Sequence, residues 1–276
     1  MGVQYKGVHF CMTQIGLRRF KNKYILISAI SLFLLLGISF LVCGDIIKVL
    51  LSDAYANFAE KKIIIDEELS WELFLFDGIY YIGNIFPIFA IITAMPFWNE
   101  KNTFYIFAAN RLKNKKHSML KAVLSYGFMG GAAISLGFFL YVCVGEYFCI
   151  PTLKSISGFE SIFNYSLYFE HPFLFMCFMI FTIYFLLGVG FAVMTCGVIM
   201  LSDNRITAIV FPLFVYVVGS YIGNGLGLNI LQISSCTAVF CTENTTGQCF
   251  IPLISVAIID LVLILIGLKK NEEVTI

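Results

Sequence analysis

Residues 98–121 of the chain read WNEKNTFYIFAANRLKNKKHSMLK, and they form its only long, strongly basic segment between two apolar runs that could each cross a bilayer. The segment holds one acid, Glu100, against six basic residues: Lys101, Arg111, Lys113, Lys115, Lys116 and Lys121. Its first half, residues 102–112, alternates apolar and polar side chains at near-helical spacing. The pattern predicts a short amphipathic helix at which a membrane protein could meet a soluble partner.

The composition of the whole chain excludes an ordinary soluble domain. Of its 276 residues, 59% are hydrophobic and 13% are charged, and the mean hydropathy is +0.89. Soluble domains carry roughly twice that share of charge, about 25%. The formal net charge of +1 points to no nucleic-acid partner.

Six apolar runs come near the length of about 20 residues that a helix needs to cross the hydrocarbon core. They are residues 24–44, 74–98, 122–145, 172–201, 206–223 and 250–268. The fourth run is long enough to require tilt. We therefore predict an all-α integral membrane protein, with six transmembrane helices in a single transmembrane domain over residues 1–276.

The distribution of basic residues predicts the orientation of these spans. If the N-terminus is cytoplasmic, 14 of the 18 Lys and Arg residues lie on the cytoplasmic side and four lie outside. Cytoplasmic segments carry the excess of Lys and Arg in multi-pass proteins. We expect a protein of the cell membrane with both termini in the cytoplasm.

Two segments flank the spans without crossing. Residues 1–23 place apolar side chains on one face and end in a basic cluster, which predicts a helix lying in the cytoplasmic interface. Residues 224–249 are uncharged except for Glu243, and their apolar first half is too short and too interrupted to cross. This pattern predicts an outer re-entrant hairpin before the last span, covered by protein.

Three cysteines of this outer segment, Cys236, Cys241 and Cys249, are candidates for a disulfide, because disulfides persist outside the cytoplasm. No His lies near them, so no metal site is expected. Two pairs of glycines have the four-residue spacing of close helix contacts: Gly127 with Gly131, and Gly219 with Gly223. These faces pack against protein, either the same chain or a second copy.

Asp260 and Asn84 form a candidate polar site within the membrane. Asp260 lies near the middle of the last predicted span. An acidic side chain at that depth is energetically unfavourable, so it predicts a functional site by default. The alternative is a structural acid, protonated or hydrogen-bonded to a neighbouring helix. Asn84 is either a helix–helix hydrogen bond or a substrate contact, and Asp77, near the outer surface, need not be buried.

Sequence motifs for catalysis are absent. The chain has no G-x-x-x-x-G-K-[ST] phosphate loop, no H-E-x-x-H and no G-x-S-x-G. We expect that this chain is not an enzyme and that it holds no cofactor or metal.

The arrangement resembles the permease subunits of type-2 ABC exporters over essentially its whole length. In that family an interfacial helix precedes the first span, and an acidic–basic pair, here Glu100 and Lys101, ends the second span and opens a cytoplasmic coupling helix. A basic cluster, here residues 111–116, then leads to a Lys at the mouth of the third span, here Lys121. Two short outer re-entrant helices precede the last span, which matches residues 224–249.

The resemblance implies a mechanism. Two copies of a separate ABC ATPase, which bind ATP and Mg²⁺, would dock under the coupling helices of two permease chains, as a homodimer or heterodimer. The docking surface would centre on Phe104, Tyr105 and Phe107, with Glu100, Lys101 and Arg111 around it. ATP-driven closure of the ATPase dimer would then move an amphipathic or apolar cargo (a peptide, a drug or a lipid-linked molecule) out of the cell.

Other functions remain open at the level of sequence. A secondary transporter should show internal repeats and several midplane polar groups, of which we find only Asp260 and Asn84. A non-transporting immunity or assembly protein would bind its partner through helix faces. The basic segment could also serve only as a topological anchor.

Overall fold

The computed structural model describes residues 23–51, 58–107, 114–149, 170–237 and 246–273, and all statements of structure below concern these ranges. They form helices and turns, with no strand among them. The interfacial helix predicted for residues 1–23 lies outside the described residues, apart from Lys23, with which the first helix begins.

Thirteen α-helices account for most of the described chain. They are α1 (Lys23–Cys43), α2 (Ile46–Leu51), α3 (Phe58–Glu68), α4 (Trp71–Tyr80), α5 (Pro87–Ala94), α6 (Pro96–Asn102), α7 (Phe104–Phe107), α8 (Lys115–Phe148), α9 (Pro172–Met179), α10 (Phe185–Leu201), α11 (Arg205–Leu226), α12 (Ser234–Thr237) and α13 (Thr246–Glu273). Two 3₁₀ turns, Gly83–Ile85 and Asn229–Leu231, and a π-helical segment, Ile180–Tyr184, lie between them.

The all-helical class and the long apolar helices are confirmed. Five helices are long and apolar enough to cross a membrane: α1, α8, the continuous α9–α10 unit, α11 and α13. The number rises to six if the bent run from α4 to α6 is one span. The chain is therefore compatible with a multi-pass membrane protein.

The second predicted span, residues 74–98, is not one straight helix. It bends by 50° between Trp71–Tyr80 and Gly83–Asn102. Pro87 and Pro96 each occupy the start of a new helix, α5 and α6. At the start of a helix, the N–H that proline lacks would have no partner inside the helix in any case. In a helix interior, proline removes a backbone hydrogen bond and disrupts the helix. The two prolines divide the second arm of the run into α5 and α6, and the 50° bend lies before both of them, between Tyr80 and Gly83.

Helices α8 and α10 pack closely at the centre of the bundle. A Cβ on Gly130 would lie 2.5 Å from Cβ of Ala192 and 2.8 Å from the carbonyl oxygen of Gly188, so the two backbones nearly touch. Gly127 and Gly131 also face α10. Gly219 and Gly223 face Leu231 of the same chain. Both pairs of closely spaced glycines therefore have partners within one copy of the protein.

The described part of the predicted re-entrant segment folds back into the bundle. Helix α11 ends at Gly227, whose φ of +66° is the left-handed conformation that glycine adopts readily. The chain then turns inward to Thr237, which is 2% exposed. The Tyr184 hydroxyl donates to the Thr237 carbonyl over 2.8 Å, and the hydroxyls of Tyr216 and Thr237 are 2.9 Å apart. These bonds join the segment to the π-helical segment Ile180–Tyr184 and to α11.

The helices alternate in direction, so that their termini gather at two ends. We call the end that holds Lys101, Lys115, Arg205 and Lys270 the basic end. The opposite end holds the α1–α2 turn and the start of α4. The basic end corresponds to the segment that the sequence singles out.

Candidate functional site

At the basic end, the last turn of α10 is capped by side chains from other helices. The Lys101 ammonium, at the end of α6, donates to the carbonyl oxygens of Ile199 (2.8 Å) and Ser202 (3.3 Å) and to Oδ1 of Asp203 (3.3 Å). The last carbonyls of a helix have no partner within it and carry the negative end of its dipole. The Lys101 ammonium supplies both the missing hydrogen-bond donor and a positive charge next to the negative end of the dipole. The Lys101 side chain is only 12% exposed.

Helix α13 contributes to the same cap. The Lys270 ammonium donates to the Leu201 carbonyl over 2.8 Å, and the Asn271 side-chain amide donates to the Met200 carbonyl over 3.1 Å. Lys115, in the first turn of α8, donates to the Asn271 carbonyl over 3.0 Å. The ends of α6, α8, α10 and α13 are thus joined by a continuous set of hydrogen bonds, which we call the basic-end network.

Trp98 connects α11 to this network. The ammonium of Lys101 lies 5.9 Å from the centre of the indole ring, and the guanidinium of Arg205, the first residue of α11, lies 5.6 Å from it. Arg205 also donates to the side-chain oxygen of Asn99 over 3.1 Å. Cation–π contacts of this kind contribute about 0.5–1 kcal/mol at exposed positions.

The short helix α7 is held against α8 by Tyr105. The Tyr105 ring is 2% exposed and lies 6.5 Å, centre to centre, from that of Phe97, while its hydroxyl donates to the Ser118 carbonyl over 3.0 Å. Phe104 packs at the margin of the hydrophobic core. Tyr105 therefore faces into the protein, as an anchor for α7.

The remaining residues of the predicted docking surface lie around this anchor. Glu100 and Lys101 follow each other in α6, with Glu100 half-buried and Lys101 turned into the basic-end network. Phe107 is the last residue of α7, but its side chain is outside the described part of the structure. Arg111 also lies outside the described residues, as do the five residues around it.

Asp260 lies on α13, on the side that packs against α10. It is 7% exposed, and its Oδ1 has no hydrogen-bond partner among the described residues. Gly190 of α10 lies close to this part of α13, since a Cβ there would lie 2.5 Å from Cγ1 of Val256 and at the ordinary contact distance of 3.5 Å from Oδ2 of Asp260. Asp260 is also among the residues lining a groove of about 530 Å³ between the two helices.

Asn84 does not join Asp260 in this groove. It lies in the 3₁₀ turn at the bend between α4 and α5, with an exposed side chain. Asp77, which could have been exposed near the opposite end, is in fact only 5% exposed. The candidate polar site thus reduces to Asp260 and the helices around it.

Two of the three candidate disulfide cysteines are described, and both are free thiols. Cys236 and Cys249 are buried, and the Cys236 thiol donates to the Cys249 carbonyl over 3.1 Å. Cys241 lies outside the described residues. The contact between Cys236 and Cys249 fastens α12 to the first turn of α13.

Three residues of the basic-end network have a role that sequence patterns did not predict. In the sequence, Lys270 and Arg205 are basic residues that predict only the orientation of the spans, and no motif marks Asn271. Basic residues in the last turn of a helix are a signal for carbonyl capping. Lys270 and Asn271 donate to the last carbonyls of α10, whereas Arg205 contacts the side chains of Asn99 and Trp98. These partners depend on how the helices pack, which the sequence patterns do not contain.

Comparisons of the chain with protein-family models, with curated proteins and with solved structures found no match. The fold defines an all-helical protein with five or six helices that could cross a membrane. Its function must be inferred from its own geometry, of which the basic-end network and the Asp260 groove are the two most informative parts.

Proposed function

We propose that this chain is the permease subunit of an ATP-driven exporter, with the basic end in the cytoplasm and the α6–α7 segment as the docking surface for a separate ATPase. The observation that supports this proposal best is the basic-end network. The segment that would meet the ATPase is hydrogen-bonded, through Lys101, to the end of a long helix at the centre of the bundle.

The basic-end network provides contacts through which a displacement of α7 could be transmitted to the predicted transmembrane helices. Tyr105 connects α7 to α8, and Lys101 connects α6 to α10. Arg205 and Asn271 extend these connections to α11 and α13. A displacement of α7 by an ATPase would therefore move several helix ends together, as coupling through a contiguous set of contacts requires.

In this proposal the ATPase chains bind ATP and Mg²⁺, and two permease chains enclose the pathway. The surrounding bilayer holds the cargo, which is amphipathic or apolar. A basic segment that served only as a topological anchor would need no buried contacts, because orientation depends on the number and position of the basic residues.

The test is co-purification of the tagged chain with an ATPase encoded beside it. Phe104→Asp places a charge beside the Tyr105 anchor. Asn102→Trp adds bulk at an exposed position next to α7 and leaves the core untouched. Phe58→Asp, at a position that is 86% exposed in α3 at the opposite end, is the matched control.

We expect the ATPase to co-purify with the wild-type chain and with Phe58→Asp, and to be lost with Asn102→Trp and Phe104→Asp. Monodisperse elution in size-exclusion chromatography identifies the variants that remain folded. Failure of any ATPase to associate with the wild-type chain without nucleotide, with ATP and with ATP plus vanadate would contradict the proposal.

A further inference from the structure

The described residues that line the groove between α10 and α13 are apolar except for one polar side chain. Its volume is about 530 Å³, within the range of about 300–1,000 Å³ that small-molecule sites occupy. The walls include Leu186 and Val189 of α10 and Leu253, Ile254 and Ala257 of α13. Among the lining residues that the structure describes, only Asp260 has a polar side chain.

Asp260 is 7% exposed as a residue, and its Oδ1 is buried with no hydrogen-bond partner among the described residues. A buried polar atom of this kind is costly to maintain. Within a membrane-crossing helix an ionisable side chain normally pairs with another group or faces a functional cavity. Asp260 has the cavity, and the described structure supplies no group to pair with Oδ1.

We propose that this groove binds a hydrophobic primary amine, whose ammonium group pairs with the Asp260 carboxylate while its apolar body lies along α10 and α13. The assignment rests on charge complementarity. A buried carboxyl group without a cationic partner resists ionisation, and an ammonium group supplies the charge that stabilises the carboxylate. An anion would destabilise the carboxylate, and a neutral apolar molecule would leave Oδ1 without a partner. An ammonium group supplies three donors and the opposite charge in a site of low dielectric.

The position of the groove indicates how such a molecule arrives. Ile254 and Ile258, on the same helix as Asp260, are each 54% exposed on the outer surface of the bundle. An amphipathic amine dissolved in the surrounding bilayer can therefore enter sideways between the two helices. The further claim that this amine is the exported cargo rests on the proposed function. Binding of the amine to the groove requires no ATPase.

The experiment is photolabelling of the purified chain in phosphatidylcholine nanodiscs, without ATPase or nucleotide. The probe is a dodecylamine with a diazirine on its alkyl chain, and the matched probe is the dodecanol with the same diazirine. Labelled positions are mapped by mass spectrometry. Asp260→Asn keeps the size of the side chain and removes its charge, Ala257→Leu fills the groove and keeps the acid, and Asp77→Asn is the control for a buried acid elsewhere.

We expect the amine to label residues 186–190 and 250–260 of the wild-type chain saturably, with competition by unlabelled dodecylamine. Loss of a hydrogen bond to a charged group should lower this labelling about tenfold or more in Asp260→Asn. Ala257→Leu should lower it as well, and Asp77→Asn should not. The alcohol should label the groove weakly and equally in the wild-type chain and Asp260→Asn.

Equal labelling by the amine in the wild-type chain and Asp260→Asn would overturn the proposal, as would equal saturable labelling by the alcohol. So would the absence of saturable labelling at residues 186–190 and 250–260, which is expected if a helix of a second copy occupies the groove. If Asp260→Asn does not fold, Ala257→Leu decides in the same way. Amine binding without ATPase association would support this inference and contradict the proposed function. ATPase association without amine binding would do the opposite.

Discussion

Lys101 illustrates how the role of a residue depends on what its charged group contacts. As part of an acidic–basic pair at the end of a span, it was expected on a docking surface. Its ammonium group instead donates to two carbonyls at the end of α10 and to Asp203. Lys101 therefore joins the end of α6 to the end of α10.

We predict that Lys101→Met, which keeps the length of the side chain and removes the ammonium, lowers the free energy of unfolding by about 1–3 kcal/mol. The reason is that the α10 carbonyls lose a charged donor in a largely buried site. The measurement is thermal or denaturant unfolding of the purified chain in detergent. An unchanged midpoint would show that water replaces the ammonium without cost.

Lys48→Met is the matched control for that prediction. The Lys48 ammonium lies 2.6 Å from Asp45, which raises its pKa through their hydrogen bond, but both side chains are mostly exposed, at 77% and 56%. Exposed ion pairs contribute little to stability. The unfolding midpoint of Lys48→Met should therefore match that of the wild-type chain.

At the scale of elements, the contact between α8 and α10 depends on glycines that leave no space for a side chain. Gly130 lies against the Gly188 carbonyl, and Gly188 lies against the backbone of Gly130 and Gly131. Close backbone approach of this kind is the usual basis of helix association in membranes, where burial of apolar surface provides no driving force between helices.

Gly130→Ala should lower the free energy of unfolding by about 1–3 kcal/mol, because overpacking forces the two helices apart. Gly37→Ala, in α1, is its control, since a Cβ there would have no atom within 4 Å. Alanine is the better helix former, so Gly37→Ala should leave stability unchanged or raise it by up to about 1 kcal/mol. The stability of both variants is measured by thermal unfolding. Equal unfolding midpoints for the two variants would contradict the close packing of α8 against α10.

At the scale of the whole molecule, the basic-end network collects the charges that also predict orientation. Reporter fusions test the predicted orientation of the chain in the membrane. Alkaline phosphatase fused after Lys61 should be active, because that position is expected outside, and it should be inactive when fused after Lys116. Green fluorescent protein at the C-terminus should fluoresce. An active phosphatase at Lys116 would reverse the orientation and remove the basis for cytoplasmic docking.

The sequence alone predicted the helical class and the approximate limits of the long apolar helices. Those features depend on local apolar length and on charges near helix ends, both of which are properties of contiguous residues. The division between α5 and α6 also has a local cause, because Pro87 and Pro96 each begin a helix. The sequence also contained the glycine pairs, but not their partners.

Tertiary structure decided what could not be deduced from neighbours along the chain. It turned Tyr105 and Lys101 inward, assigned both glycine pairs to contacts within one copy, and separated Asn84 from Asp260. It also placed Asp260 at a groove formed jointly with α10. Each of these depends on which helix faces which, and that choice is made by close packing between distant segments.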